Sequence, residues 1–206
     1  TNAQTSVGRT MAIKKRADAD LRADTPETLF PLLRRTGFNA DTLWPQQVDL
    51  LREYAEKRVT AKDLAIELPT GTGKTLTGLL IADWRRREGK GRSIFVCPTR
   101  QLVRQVVAVA EKEGIDVVDL SGPSKQWDMA ARSRYARPKA TAVVAYSSGF
   151  NTSPKLSEAD VIIFDDAHAG EQYVSTAYTL AVPRTSLGPV WRGALEAVAP
   201  ELPEAR

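Results

Sequence analysis

Two short stretches carry residues whose types and spacing can do chemistry. One is Pro69-Thr70-Gly71-Thr72-Gly73-Lys74-Thr75; the other is Asp165-Asp166-Ala167-His168, directly after the apolar run Val161-Ile162-Ile163-Phe164. Glycines let successive backbone N–H groups curl into a concave anion nest, and a helix opening at Lys74 would add its positive N-terminus. In that setting Thr70, Gly71, Thr72 and Gly73 cradle a triphosphate, Lys74 reaches the β and γ phosphates, and the Thr75 hydroxyl ligates Mg²⁺. A triphosphate site also needs a carboxylate for the metal, assigned to Asp165, and a group that orients or deprotonates water, assigned to Asp166. Alone, an acidic pair after a strand is more often a helix cap or a turn; the phosphate loop is what turns it into a metal site. Leu68 stands where the loop pattern wants a small residue, a minor departure because the cradle follows it.

These groups need strands that end beside one another. Short apolar runs predict strands at Leu64–Leu68, Ser93–Cys97, Asp116–Leu120, Thr141–Tyr146 and Val161–Asp165. Between them, Lys74–Arg87 and Thr99–Glu113 read as amphipathic helices, the second placing Leu102, Val103, Val106, Val107 and Ala110 at helical spacing. Residues 124–136 suggest a third. Upstream, Thr25-Pro26-Glu27 has the cap, proline and acidic residue of a helix start, and a second helix from Pro45 presents Val48, Leu51, Tyr54 and Ala55 on one face. Downstream, Val174, Thr176, Tyr178, Leu180 and Val182 alternate like a half-buried strand, and Gly188–Val198 reads as a final helix. The fold class is α/β, a mostly parallel twisted sheet with helices on both faces and ligands at the carboxyl ends of its strands.

With 206 residues, 42% of them hydrophobic, the chain suits one core. Residues 1–24 are polar and aperiodic and are set apart from the fold, the ten before Met11 being read as partly vector-derived; residues 25–206 form the domain. No apolar run approaches the roughly 20 residues that span a bilayer, so a soluble, cytoplasmic protein is expected without a membrane partner. The single cysteine, Cys97, lies in the run Ile94-Phe95-Val96-Cys97 and reads as a buried strand residue. A net charge of +4 is a mild lean toward polyanions. Arg85, Arg86, Arg87, Lys90, Arg92, Arg100 and Arg104 cluster, and the run Arg85–Lys90 is read first as a solvated helix end, where cations suit the helix dipole.

Taken together, these stretches resemble the first RecA-like lobe of a superfamily 2 helicase of the DEAD/DEAH-box group, over about residues 26–170. Leu68–Thr75 is similar to motif I, Pro98-Thr99-Arg100-Gln101-Leu102 to motif Ia, and Asp165-Asp166-Ala167-His168 to motif II. The resemblance implies a P-loop NTPase that binds ATP and Mg²⁺ and moves on DNA or RNA. Trp44-Pro45-Gln46-Gln47 resembles the end of the Q motif, implying adenine recognition by Gln47. Thr99 and Arg100, with Ser147 and Ser148 at a poorer motif match, are implied nucleic-acid contacts, and His168 an implied coupling residue. Asp166 replaces the usual glutamate with a carboxylate one methylene shorter. The family's second lobe, with its arginine fingers, is expected as a missing partner from the same chain, leaving these residues nearly inactive alone. A translocase motor of a restriction, repair or antiviral complex, a nucleotide-gated binding module with weak hydrolysis, and, less favoured, a small-molecule kinase remain alternatives.

Overall fold

The computed structural model describes residues 21–33, 42–69, 71–150, 156, 158–177, 179 and 181–201. The chain divides into two compact units, residues 1–166 and 167–206.

Among the described residues of the first unit, four strands form one sheet: β1 (Ser93–Cys97), β2 (Val117–Asp119), β3 (Thr141–Ala145) and β4 (Val161–Phe164), in the order β2-β3-β1-β4. Every pairing is parallel. Continuous apolar runs give this arrangement because a central parallel strand buries both faces. In β1 and β3 every residue is buried.

Among the described residues, six α-helices accompany the sheet: α1 (Pro26–Leu29), α2 (Pro45–Glu53), α3 (Lys74–Arg87), α4 (Arg100–Glu113), α5 (Met129–Ala136) and α6 (Tyr146–Gly149). Leu79, Leu80 and Trp84 of α3 share one core with Phe95 and Cys97 of β1, Val103 and Val106 of α4, and Val143 of β3. Gly78 permits close approach of α3, since a Cβ there would stand 2.9 Å from the Phe95 ring and 3.3 Å from Ile163. Leu29 and Phe30 near α1 and Leu51 of α2 extend the core, and Cys97 is buried within it. Burial chiefly pushes the Cys97 thiol up to about 12, so it packs as an inert apolar group.

Several expectations are met within a residue or two: the helices from Pro26, Pro45 and Lys74, and the strands at Ser93 and Thr141. Thr99 becomes the cap of α4, accepting from Leu102 N at 3.2 Å. Residues 124–136 break into a 3₁₀ turn, Ser124–Gln126, and α5, whose cap Asp128 accepts from Ala131 N at 2.8 Å.

Three expectations are corrected. Leu64–Leu68 forms no strand, and Leu64 and Ile66 are each 42% exposed. A β-former needs a paired neighbour, and among the described residues β4 pairs with β1 alone, leaving its other edge open. The described part of Val174–Val182 forms no strand either. In the second unit α7 (Ala167–Ala177) continues through Val174 and Thr176, with Thr176 Oγ1 donating to Gln172 O at 2.9 Å. Alternation over so short a window competes poorly with a helix already propagating from Ala167. Tyr178 and Leu180 lie outside the described residues. The second unit also holds α8 (Gly188–Val198) at its expected place, with the Arg184 guanidinium 5.0 Å from the Trp191 ring centroid.

The basic end of α3 is also not a solvated face. Asp83 is fully buried and bonds to the guanidinium groups of Arg86 and Arg87, the latter at 2.7 Å. Both arginines also lie within 4 Å of Asp116, which holds Arg134 at 2.7 Å. Arg86 Nη1 further donates to Pro138 O at 3.0 Å. These charges fasten α3 to the start of β2 and to α5, because a buried guanidinium must be paired.

Candidate nucleotide and nucleic-acid site

The loop before α3 has the backbone that its glycines predict. Gly71 and Gly73 adopt φ of 84° and 77°, a left-handed region costly for other residues. Thr72 Oγ1 closes the turn by donating to Pro69 O at 2.6 Å, and Gly73 caps α3. Lys74 is exposed as the first helical residue and Thr75 is half-buried behind it. Thr70 lies outside the described residues.

Gln47 is only 4% exposed and ties α2 to this loop. Its Oε1 accepts from Trp44 N at 3.0 Å, while its Nε2 donates to Gly73 O at 3.3 Å and to Thr77 Oγ1 at 3.4 Å. Gly73 O also accepts from Thr77 N at 3.0 Å and Thr77 Oγ1 at 3.2 Å. A Cβ on Gly73 would fall 2.4 Å from Gln47 Nε2, so glycine is required here for space as well as for φ. Phe30, Trp44, Gln47, Thr72, Gly73 and Leu76 line a pocket of about 190 Å³ beside the loop. Phe30 is both a core residue and a wall of this pocket. Glu113, in the last turn of α4, closes the same pocket and is 6% exposed. Nothing in its local sequence marks it, because its place depends on how α4 lies against α3.

The acidic pair emerges at the carboxyl end of β4. Asp165 N donates to Val96 O at 2.9 Å, prolonging the β1–β4 ladder by one bond before the chain turns. Asp166 then takes φ of 53°, left-handed for a residue with a Cβ. Tyr146 Oη donates to the carbonyls of both Asp165 (2.7 Å) and Asp166 (2.9 Å). Burial holds the Asp165 carboxyl above the usual carboxylate range, and repulsion from Asp166 adds to this, while Lys74 pulls it back down. The fold has therefore brought Lys74, near the middle of the unit's sequence, into electrostatic range of Asp165 at its end. Among the described residues neither Lys74, Asp165 nor Asp166 forms an ion pair, and no group of three or more His, Cys, Asp or Glu side chains gathers around a metal position. An exposed ammonium, a left-handed glycine loop and a carboxylate strained toward neutrality fit a polyanion with a divalent cation, the polyanion completing the oxygen shell.

Two of the expected nucleic-acid residues, Arg100 and Ser148, meet at one carbonyl. Arg100 Nε donates to Ser121 O at 3.2 Å, and Ser148 Oγ approaches the same carbonyl at 3.5 Å. Ser121 N is itself held by Asp119 Oδ1 at 2.8 Å. The loops after β1, β2 and β3 thus converge, with Thr99, Arg100 and Ser147 exposed around them. Arg104 is exposed one turn further along α4. His168 is an exposed residue of α7, in the second unit. Tyr146, which the sequence reading missed, has one signal: an aromatic hydroxyl on a wholly apolar strand end must find a buried acceptor.

Among relatives, the DEAD-box ATP-dependent DNA helicase Fancm of Drosophila melanogaster is 28% identical over 138 residues, covering 63% of this chain and 8% of the relative. Reverse gyrase 1 of Aquifex aeolicus (strain VF5) is 36% identical over 67 residues, covering 32% of this chain and 6% of the relative. The chain therefore spans less than a tenth of the length of either relative. Residues 45–182 match the DEAD/DEAH box helicase family, a stretch that includes the phosphate loop, all four parallel strands and the acidic pair. With two thirds of its length in that match and the RecA-like α/β sheet in place, the chain belongs to the DEAD/DEAH box helicase family.

Proposed function

We propose that this chain is the ATP·Mg²⁺-binding first lobe of a motor that travels on nucleic acid, with DNA as the favoured strand. The single observation that carries this reading is the left-handed glycine loop that opens α3 with Lys74 exposed at its start, within electrostatic range of Asp165. Family membership supplies the helicase-type motor, and the Drosophila relative, named an ATP-dependent DNA helicase, favours ATP and DNA.

In this reading the N–H groups of residues 71–73 and the Lys74 ammonium hold the phosphates, and Thr75 and Asp165 hold Mg²⁺. A cation held there would offset phosphate charge in the transition state. Asp166 orients and deprotonates the attacking water. Its shorter side chain and left-handed backbone place the carboxylate differently from the usual glutamate, so hydrolysis is slow. Gln47 holds the loop and walls the pocket for the base, its amide being engaged with Gly73 and Thr77. Thr99, Arg100, Ser147 and Ser148 take the strand's phosphates, and His168 couples the two functions. A transition-state arginine comes from a second lobe, a group worth about 10³ to 10⁵ in rate in related phosphoryl-transfer enzymes.

Fluorescence anisotropy with a labelled single-stranded DNA, with and without a non-hydrolysable ATP analogue and Mg²⁺, tests the proposal. Nucleotide-dependent, salt-sensitive DNA binding is expected. Absence of DNA binding at low salt contradicts it, and preference for RNA of the same sequence overturns the choice of strand.

A further inference from the structure

We propose that Tyr146 is the positioning residue through which occupancy of the nucleic-acid loops is felt at Asp165 and Asp166. This rests on the functional reading above and names the physical link within it.

Tyr146 ends the β3 side of the sheet and opens α6, so Ser147 and Ser148 follow it on the same four-residue turn. Its side chain is fully buried, and it reaches past β1, the strand between β3 and β4, to the backbone of the acidic pair. One phenolic proton is shared by the carbonyls of Asp165 and Asp166. Those carbonyls lie on either side of the Asp166 Cα, where the chain enters the left-handed turn, a conformation that surrounding contacts must hold. Burial, with the nearby Asp166 and Asp165, pushes the Tyr146 hydroxyl up to about 12, so it stays a donor throughout the working range. The ring is also wedged: its centroid lies 5.7 Å from Phe150 and 6.3 Å from Phe164, and those two rings stack at 5.7 Å. Phe150 follows α6 and Phe164 precedes Asp165, so a displacement of α6 reaches the acidic pair through both the hydroxyl and the rings.

At the other end of α6, Ser148 and Arg100 share the Ser121 carbonyl. A phosphate that draws either side chain away releases a contact restraining α6. The acidic carboxylates are then re-aimed without themselves touching the nucleic acid.

The test is Tyr146→Phe, which keeps the ring and removes only the donor. The dissociation constant for labelled single-stranded DNA is measured with and without a non-hydrolysable ATP analogue and Mg²⁺, and that for the nucleotide with and without DNA; the two ratios must agree by linkage. The wild-type protein is expected to show coupling on the order of 5- to 150-fold. In Tyr146→Phe the ratio should fall toward one, a larger change than in either separate affinity, whereas a structural defect alone would weaken both affinities and leave the ratio. Full coupling in the variant overturns the proposal while leaving the functional reading intact. If the wild-type protein binds neither ligand, both fail. Hydrogen exchange in the wild-type chain provides a check independent of the variant: DNA alone should alter amide protection at residues 165–167, and unchanged protection with DNA bound overturns the proposal.

Discussion

The two ends of α3 carry charges of both signs and use them in opposite ways. At its C-terminal end Asp83, Arg86, Arg87, Asp116 and Arg134 meet in direct pairs, with the Asp83, Arg86 and Arg87 side chains at most 5% exposed. At its N-terminal end the exposed Lys74 lies within electrostatic range of Asp165, whose ionisation the neighbouring Asp166 opposes. One cluster has satisfied its charges internally and fastens the fold. The other forms no ion pair among the described residues, as the proposed site for a polyanion and a cation requires. Net charge and local clustering do not separate the two; pairing does.

The largest effect should come from the closed end. Asp83→Ala strands two buried guanidinium groups, and chemical denaturation should show a loss of about 3–5 kcal/mol. A loss below ~1 kcal/mol would mean that the network is no more than a surface pair. Lys74→Ala should do the converse. Its side chain is exposed, so the denaturation midpoint should hold, while nucleotide titration should show affinity reduced about 10- to 100-fold, the worth of a hydrogen bond to a charged group.

Much of this was legible beforehand, for identifiable reasons. β1 and β3 are apolar after a first hydroxyl residue, Ser93 or Thr141, and buried throughout, so composition alone locates them. α3 and α4 begin at residues with helix-start chemistry, Gly73-Lys74 and Thr99-Arg100. What failed depended on partners distant in sequence. Leu64–Leu68 has strand composition but lacks a paired neighbour. Arg86 and Arg87 carry visible i, i+3 and i, i+4 spacing to Asp83, but that they are buried follows from Asp116 and Pro138, which only the fold brings near. The same holds at the site. The phosphate loop and acidic pair announce themselves by type and spacing, whereas the roles of Tyr146 and Glu113 depend on how β3 stands to β4 and α4 to α3.

Asp165→Asn should separate stability from binding more finely. Because burial raises this carboxyl's pKa, the folded state holds its proton over a pH interval where the unfolded state has lost it. Wild-type stability therefore falls as pH rises through that interval and stays lower above it. The asparagine variant should melt higher than wild type at neutral pH, with the advantage shrinking as pH falls through the acid range. A variant less stable than wild type at pH 7 would reverse the sign of this argument. The smallest effect should belong to Arg100→Ala, which should weaken DNA binding a few-fold and lower the salt slope by about 1 in anisotropy titrations.

The most direct test of the central claim is calorimetric titration of the wild-type, Lys74→Ala and Asp165→Asn proteins with a non-hydrolysable ATP analogue, in Mg²⁺ and in EDTA. The account predicts saturable binding tightened by Mg²⁺ in wild type, weakened under both conditions by Lys74→Ala, and stripped of its Mg²⁺ dependence by Asp165→Asn. Wild-type binding that Lys74→Ala leaves intact, or a Mg²⁺ dependence that survives Asp165→Asn, would contradict it.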